Sequence, residues 1–147
     1  MRLTLHTDYA LRLLIFLGLD PDRRRTIEEV AGHYGISRNH LMKVALTLTQ
    51  SGFIDSLRGR NGGLQLARPP AEINVGAVVR KTEDNFNLVE CFDRETNTCP
   101  IATACQLKGP FAEAVQAFIA VLDRYTLADL VANPNTTRNL RRLLSVA

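Results

Sequence analysis

The sequence predicts a mainly α-helical protein that carries one small β-hairpin. Apolar residues recur at helical spacing along most of the chain, and one Asn-Gly pair lies between two short strand-like runs. The helical spacing disappears between residues 83 and 107, where a long loop is expected. At 147 residues, with 46% hydrophobic and 22% charged residues, the chain can bury a core and is not disordered.

Neither a membrane span nor a secretory leader is expected. The longest apolar run, residues 13–17, is far shorter than the roughly 20 residues that cross a bilayer. The charged residues Asp8 and Arg12, which precede this run, do not fit a secretory leader. We therefore expect a cytoplasmic protein that does not contact a membrane.

Positive charge is concentrated in the first half of the chain. Residues 1–70 contain ten Lys and Arg against six Asp and Glu, whereas residues 71–147 contain eight against nine. The basic half is therefore the candidate for contact with a polyanion such as nucleic acid. Charge alone is weak support, because many solvated surfaces have a similar excess.

Residues 7–17 predict a first helix that is largely buried. Thr7 can accept the capping hydrogen bond at its start. The apolar residues that follow occupy one face at the i, i+3, i+4 and i+7 positions, namely Ala10, Leu13, Leu14 and Leu17.

Two further helices are expected on either side of a short turn. Thr26 and Glu29 match the capping box that begins a helix, Gly35 lies in the turn, and Ser37 can cap the next helix. Two short helices that meet across a glycine-containing turn are typical of the helix-turn-helix, whose second helix enters the major groove of DNA.

The first residues of this second helix are candidates for contact with DNA. Their side chains can pair with guanine, adenine or phosphate, and they are Ser37, Arg38, Asn39, His40 and Lys43. The alternative is an ordinary solvated face, which every amphipathic helix needs.

Residues 53–57 and 64–67 predict the two strands of a hairpin with a basic tip. The glycine-rich tip offers Arg58, Arg60 and Asn61, which can enter a minor groove or follow phosphates. A hairpin of this kind after a recognition helix is a wing, so the first half predicts a winged helix-turn-helix. A solvated hairpin tip without a role is the alternative.

All three cysteines lie in the aperiodic segment. Cys91, Cys99 and Cys105 are separated by seven and then five residues, and a loop of this kind can fold several thiolates around one centre. Core packing suits so polar a loop poorly, and three cysteines cannot all pair as disulfides within one chain.

Three thiolates without a nearby histidine favour an iron-sulfur cluster over structural zinc. The histidines, His6, His33 and His40, all belong to the first helices, and zinc prefers four closed ligands. A cluster tolerates a ligand other than cysteine at one iron, which leaves that iron open to nitric oxide or oxygen. Zinc and a reversible thiol switch stay open as alternatives.

A long apolar stripe follows the cysteine segment. A helix can begin at Pro110, and its apolar residues recur at helical spacing as Phe111, Ala114, Val115, Phe118, Val121, Leu122 and Tyr125. A second copy of the chain is the simplest cover for this face, because two-fold dimers match palindromic operators. Packing within the same chain is the alternative.

These features divide the chain into four parts. We expect a winged helix-turn-helix with its linking helix over 1–82, a cluster-binding loop over 83–107, a dimerisation helix over 108–132 and a C-terminal tail over 133–147. The tail can form a short helix, to which the sequence assigns no role.

Several short motifs resemble one known family, and the resemblance extends from residue 1 to about residue 131. The chain resembles the iron-sulfur winged-helix transcription regulators of the NsrR/IscR type, and in particular their nitric-oxide-sensing repressor branch. The matching segments are 1–4 (MRLT), 7–12 (TDYALR), 34–41 (YGISRNHL), 58–63 (RGRNGG), 89–92 (VECF), 97–101 (NTCPI), 104–107 (ACQL) and 125–130 (YTLADL).

The resemblance implies a homodimeric repressor that binds a palindromic operator on double-stranded DNA and releases it when nitric oxide reacts with the cluster. It implies Asp8 of the partner subunit as a fourth ligand and a 4Fe-4S cluster in preference to 2Fe-2S. An acidic residue in a first helical turn also favours the helix dipole without any metal, which is the alternative role for Asp8. Seven residues separate Cys91 from Cys99 here, against the five more usual in the family.

Other functions remain as alternatives at this point. The same site could serve a sensor of oxygen or iron supply, and zinc or a thiol switch could replace the cluster. A small iron-sulfur enzyme or electron carrier is the alternative from another class, but the sequence has no nucleotide loop, catalytic triad or substrate-cleft signature. We therefore expect a regulator and not an enzyme.

Overall fold

The computed structural model describes residues 2–59 and 62–144 and confirms the mainly helical fold with one hairpin. Short 3-10 turns lie at Pro70–Glu72 and Glu90–Phe92. In chain order the main elements are α1 (Leu5–Gly18), α2 (Ile27–Tyr34), α3 (Arg38–Gln50), β1 (Ile54–Leu57), β2 (Gly63–Leu66), α4 (Val75–Thr82), α5 (Lys108–Leu122), α6 (Leu127–Val131) and α7 (Pro134–Leu143).

Helix α1 is the centre of the hydrophobic core, and it packs against α3, α4, α6 and β2. Its cap lies three residues before the predicted one. Thr4 is in extended backbone, and its hydroxyl accepts a hydrogen bond from the Thr7 amide at 3.2 Å. Thr7 is therefore inside the first turn and completely buried, which corrects its predicted role as the cap.

The helix-turn-helix forms as expected, with one change at its start. The Thr26 hydroxyl accepts a hydrogen bond from the Glu29 amide at 3.1 Å, but the Glu29 carboxylate pairs with Arg25 and does not complete the capping box. Gly35 ends α2 at a φ of 64°, a left-handed conformation that favours glycine. Ser37 then caps α3.

The two strands of the hairpin are antiparallel, and their register runs from Ile54 opposite Leu66 to Leu57 opposite Gly63. The predicted strand bounds are correct to within one residue. A bridge also joins Leu64 to Arg25 in the segment between α1 and α2, with backbone hydrogen bonds of 2.9 and 2.7 Å. The segment before α2 therefore pairs with β2, in addition to the pairing of β2 with β1.

A polar joint connects α4 to the end of α5. Arg80 donates two hydrogen bonds to the Asp123 carboxylate, one of them 2.8 Å long from Nη1, and these bonds hold the pKa of Asp123 below its usual value. The Asn74 side chain caps α4 and donates to the Asp123 carbonyl at 2.7 Å. Gly76 lies directly beneath the Asp123 carboxylate.

The predicted helix over 108–132 is interrupted, which corrects the sequence-based expectation. Helix α5 ends at Leu122, so Tyr125 does not belong to its apolar stripe. Thr126 and Asp129 form a complete capping box that begins α6. Leu127 and Val131 of α6 pack on Gly18 of α1, within the same chain.

The C-terminal tail forms α7, as the sequence indicated. Leu140 packs against the core, and the Arg141 guanidinium donates to the Leu19 carbonyl at 2.6 Å. Over residues 2–59 and 62–144, no helix is long and apolar enough to cross a membrane.

We expect Gly76→Ala to loosen the joint between α4 and α5. A Cβ there would lie 2.1 Å from Asp123 Oδ1 and 3.0 Å from the Asp123 backbone nitrogen, so the helices must separate. Overpacking of this kind lowers the free energy of unfolding by about 1–3 kcal/mol, which urea unfolding at fixed protein concentration would measure.

Gly32→Ala is the matched control, because a Cβ at this helical position has no described atom within 4 Å. It should raise the free energy of unfolding by about 0.5–1 kcal/mol, as is typical for Gly→Ala within a helix. Equal shifts in the two variants would contradict the close contact assigned to Gly76.

Candidate nucleic-acid interface and cysteine loop

The start of α3 presents several polar side chains to solvent. Ser37, Arg38, Asn39 and Lys43 are exposed, so the structure brings these predicted contacts onto one accessible surface. Their exposure follows from the packing of the opposite face, where Leu41, Val44 and Leu48 are completely buried.

Arg38 is held by a neighbouring acid on α2. Its Nε lies 2.5 Å from Glu28 Oε1, and both side chains are largely exposed. A hydrogen bond with the Glu28 backbone and then the Arg38 guanidinium keep the pKa of Glu28 below its usual value. The carboxylate is therefore ionised at neutral pH, where it can orient Arg38.

His40 differs from the other predicted contacts because its ring packs against α1. It is half-buried, with its ring centre 4.8 Å from that of Tyr9 and 6.5 Å from that of His6. His6 in turn lies 3.1 Å from the Thr47 hydroxyl on α3. His40 thus connects α3 to α1, and its contact with DNA stays a prediction.

Two exposed apolar residues on α3 were not predicted from the sequence as candidate DNA contacts. Met42 and Leu46 are 45% and 58% exposed, one helical turn apart. Exposed apolar side chains on a recognition helix can contact thymine methyl groups in the major groove. Their positions outside the apolar stripe of α3 could have indicated in the sequence that they are exposed.

The described part of the wing tip places Arg58 in solvent directly after β1. Gly59 adopts a φ of 104°, and its carbonyl accepts from the Gly62 amide at 2.9 Å. Arg60 and Asn61, the other two predicted contacts of the tip, lie outside the described residues.

Polar side chains organise the cysteine loop. Glu90 Oε1 accepts hydrogen bonds from the Thr98 amide and hydroxyl at 2.5 and 2.6 Å, and these bonds lower the pKa of Glu90. They join the residues that directly precede Cys91 and Cys99 in the chain. The seven-residue spacing therefore closes into a small loop of its own.

The three thiols have the chemistry of cluster ligands, although this structure does not gather them. Cys91, Cys99 and Cys105 are all unpaired and half-buried, so no disulfide competes for their sulfurs. Within residues 2–59 and 62–144, however, no three His, Cys, Asp or Glu side chains form a group that could hold a metal ion.

Asp8 lies on α1 and pairs with Arg12 in its own chain. The distance between Asp8 Oδ2 and Arg12 Nη2 is 2.7 Å, and the Asp8 side chain is 40% exposed. The structure therefore leaves this carboxylate accessible to solvent.

Helix α5 is an apolar helix that its own chain covers only in part. None of its residues is buried, although most of them are apolar. Val115 and Phe118 line a groove with Phe86 and the N-terminal residues. The face that was predicted to need a partner is therefore only partly covered in the single subunit.

A recognition helix with exposed polar residues, followed by a wing, defines a winged-helix transcription regulator, a class of DNA-binding protein and not of enzyme. The chain belongs to the Rrf2 family of iron-dependent transcriptional regulators, because that family's sequence profile matches residues 3–133. This confirms the resemblance found in the sequence and the expectation that the protein is not an enzyme.

Relatives cover nearly the whole chain. The HTH-type transcriptional regulator NsrR of Halalkalibacterium halodurans is 51% identical over 144 residues, which are 97% of this chain and 99% of the relative. The NsrR of Bacillus subtilis strain 168 is 50% identical with the same coverage of both chains.

Solved structures confirm the fold. CymR, the global cysteine regulator of B. subtilis, has a TM-score of 0.70 at 22% identity and covers 90% of this chain and 97% of its own. IscR of T. potens has a TM-score of 0.72 at 22% identity, with 90% and 88% covered.

Glu28→Gln should weaken the discrimination between operator and random DNA. Removing an exposed charge that faces the same surface as Arg38 should raise the affinity for a random duplex severalfold, because phosphates no longer meet this carboxylate. Stability should hardly change, since the pair is exposed to solvent. Fluorescence anisotropy with both duplexes at one salt concentration measures the ratio.

Glu113→Gln on α5 is the control for a change of net charge, because Glu113 is also exposed. If Glu113→Gln raised the affinity for random DNA as much as Glu28→Gln does, a local role for the Glu28–Arg38 pair would be excluded.

Proposed function

We propose that this protein is a homodimeric cytoplasmic repressor that binds a palindromic operator while it holds an iron-sulfur cluster, and that nitric oxide releases it. The observation that carries this proposal is the set of three unpaired, half-buried thiols on one loop, beside an uncovered helix and attached to a winged helix. The 50% and 51% identical relatives, named HTH-type transcriptional regulator NsrR, support the part of this proposal that concerns transcription regulation.

Cys91, Cys99 and Cys105 would hold the cluster, which we propose to be 4Fe-4S in preference to 2Fe-2S. The hydrogen bonds between Glu90 and Thr98 support this ligand set, because they bring the ends of the longer first spacing together. When bound, the cluster would supply an iron that reacts with nitric oxide. The loop around it is polar and exposed enough to admit so small a molecule.

Asp8 of the partner subunit is the proposed fourth ligand. The carboxylate has an exposed side, and among the described residues its ion-pair partner is Arg12. Moving it toward a cluster would require that this surface ion pair be given up, which costs little because exposed pairs contribute about 0–1 kcal/mol. A ligand from α1 would tie the partner's cysteine loop directly to the core helix.

DNA contact is assigned to α3 and the wing. Ser37, Arg38, Asn39 and Lys43 are exposed and would reach base edges or phosphates, and the exposed Arg58 would reach the adjacent minor groove. Met42 and Leu46 extend this surface with apolar contacts. His40, Arg60 and Asn61 remain part of the proposed set.

The joint between α4 and α5 supports a route from the cluster to DNA. Asp123 at the end of α5 is bound by Arg80 and Asn74, and α4 packs on α1 and α3. A change in the position of α5 would therefore move the DNA-binding part. A loss of about 3 kcal/mol in operator binding corresponds to roughly two decades in Kd, which is enough for a switch.

Protein purified without oxygen should contain stoichiometric iron and sulfide and should bind its own promoter DNA. Cys91→Ser, Cys99→Ser and Cys105→Ser should each lose the cluster and weaken operator binding by roughly two decades. Thr103→Ser, on an exposed position of the same loop, should behave as wild type. Nitric oxide should release the wild-type complex.

The alternatives give different results in this experiment. Colourless protein with one zinc per chain would indicate a zinc site, and metal-free protein that responds to oxidants would indicate a thiol switch. Release by air or iron chelation without a response to nitric oxide would indicate another signal.

Asp8→Asn should destabilise the cluster, whereas Asp84→Asn, which changes another exposed acid, should not.

The dimer proposal predicts that Phe118→Glu produces a monomer. A charge in the middle of an apolar helix face opposes burial against a second copy. Analytical ultracentrifugation should show half the mass and a large loss of operator affinity. Gln116→Glu adds the same charge at an exposed position of α5 and should leave the dimer intact. A dimer in both variants would place the interface elsewhere.

A further inference from the structure

Arg25 is a charged residue buried in the winged helix, and none of the functions above uses it. Its side chain is only 2% exposed. Lys and Arg are almost never so completely buried unless they are paired, because removing a cation from water is costly. The position therefore requires an explanation.

Partners from two elements surround the guanidinium. Nη1 pairs with Glu29 in the first turn of α2, and Nη2 lies 3.4 Å from Asp20 Oδ2 in the turn after α1. The guanidinium carbon is 5.4 Å from the ring centre of Phe16 on α1. Only arginine offers a planar fork that can pair with two carboxylates and stack on a ring.

The backbone of the same residue binds the wing. Its amide donates to the Leu64 carbonyl at 2.9 Å, and the Leu64 amide donates back at 2.7 Å. Gly63 is required for this approach, because a Cβ there would lie 3.0 Å from the Arg25 carbonyl at a φ of 147°. Arg24 adds a bond from its Nε to Gln65 at 2.9 Å.

This contact lies at the tip end of the hairpin. Leu64 is opposite Ser56, the next pair is Gly63 with Leu57, and Arg58 follows immediately. An isolated two-stranded hairpin is only marginally stable, so its tip needs an external support. Arg25 supplies that support one residue pair away from the proposed DNA contact.

We propose that Arg25 is a positioning residue for DNA recognition, which sets the distance and angle between the wing and the recognition helix. Its backbone holds β2, while its side chain holds α2 and α1, the helices that pack against α3. Wing and recognition helix thereby approach adjacent grooves as one rigid unit. The inference rests on the proposed contact of Arg58 with DNA.

A double-mutant cycle on operator affinity tests the proposal. Arg58→Ala should weaken binding by about tenfold to a hundredfold, the range for one lost arginine contact, and Arg25→Lys should weaken it similarly. In the Arg58→Ala background, Arg25→Lys should have less than a twofold further effect, because the misplaced wing no longer contributes.

Footprinting supplies a readout that a general loss of stability would not produce. In Arg25→Lys, hydroxyl-radical protection at the wing's minor groove should disappear, while protection of guanine N7 in the major groove persists. Arg23→Lys is the matched control, because Arg23 is exposed and shares Glu29 at 3.8 Å. It should behave as wild type in both measurements.

Gly63→Ala tests the same contact from the wing if Arg25→Lys does not fold. It should reproduce the lost minor-groove protection with all ion pairs of Arg25 unchanged. Additive effects of Arg25→Lys and Arg58→Ala, or equal loss of both protections, would overturn the positioning role. If Arg58→Ala alone left the affinity unchanged, the proposed wing contact would fail instead.

Discussion

Burial of α1 is the constraint on which the rest of the structure depends. Leu13, Leu14, Phe16 and Leu17 are at most 1% exposed, and all belong to the hydrophobic core. Burying such side chains contributes about 1.5–3 kcal/mol each. Because α3, α4, α6 and β2 all pack on this one helix, their relative positions are set by it.

The polar interactions are placed where separate elements must be held at a fixed angle. Arg25 joins the wing to two helices, and Arg80 joins α4 to the end of α5 through Asp123. Hydrophobic contacts are not directional, whereas a forked guanidinium on a carboxylate fixes both distance and orientation. Both joints therefore give the regulator defined geometry between its parts.

The elements outside the core show the opposite pattern. Helix α5 buries no residue within its chain, and the cysteine loop is held by hydrogen bonds such as those between Glu90 and Thr98. A segment with few buried apolar contacts changes position at low cost in free energy. Such a segment suits a sensor, because a small ligand must shift it without unfolding the winged helix.

The sequence by itself determined the helix-turn-helix and the hairpin, because helical periodicity, caps such as Ser37 and turn glycines act locally. Only the tertiary structure decided that Thr4 and not Thr7 caps α1, that α5 ends at Leu122 and that His40 packs against α1. These features depend on contacts between residues distant in the chain, which spacing does not encode. The burial of Arg25 was also decided in the tertiary structure, because Asp20, Glu29 and Phe16 surround its guanidinium while Leu64 of the wing binds its backbone.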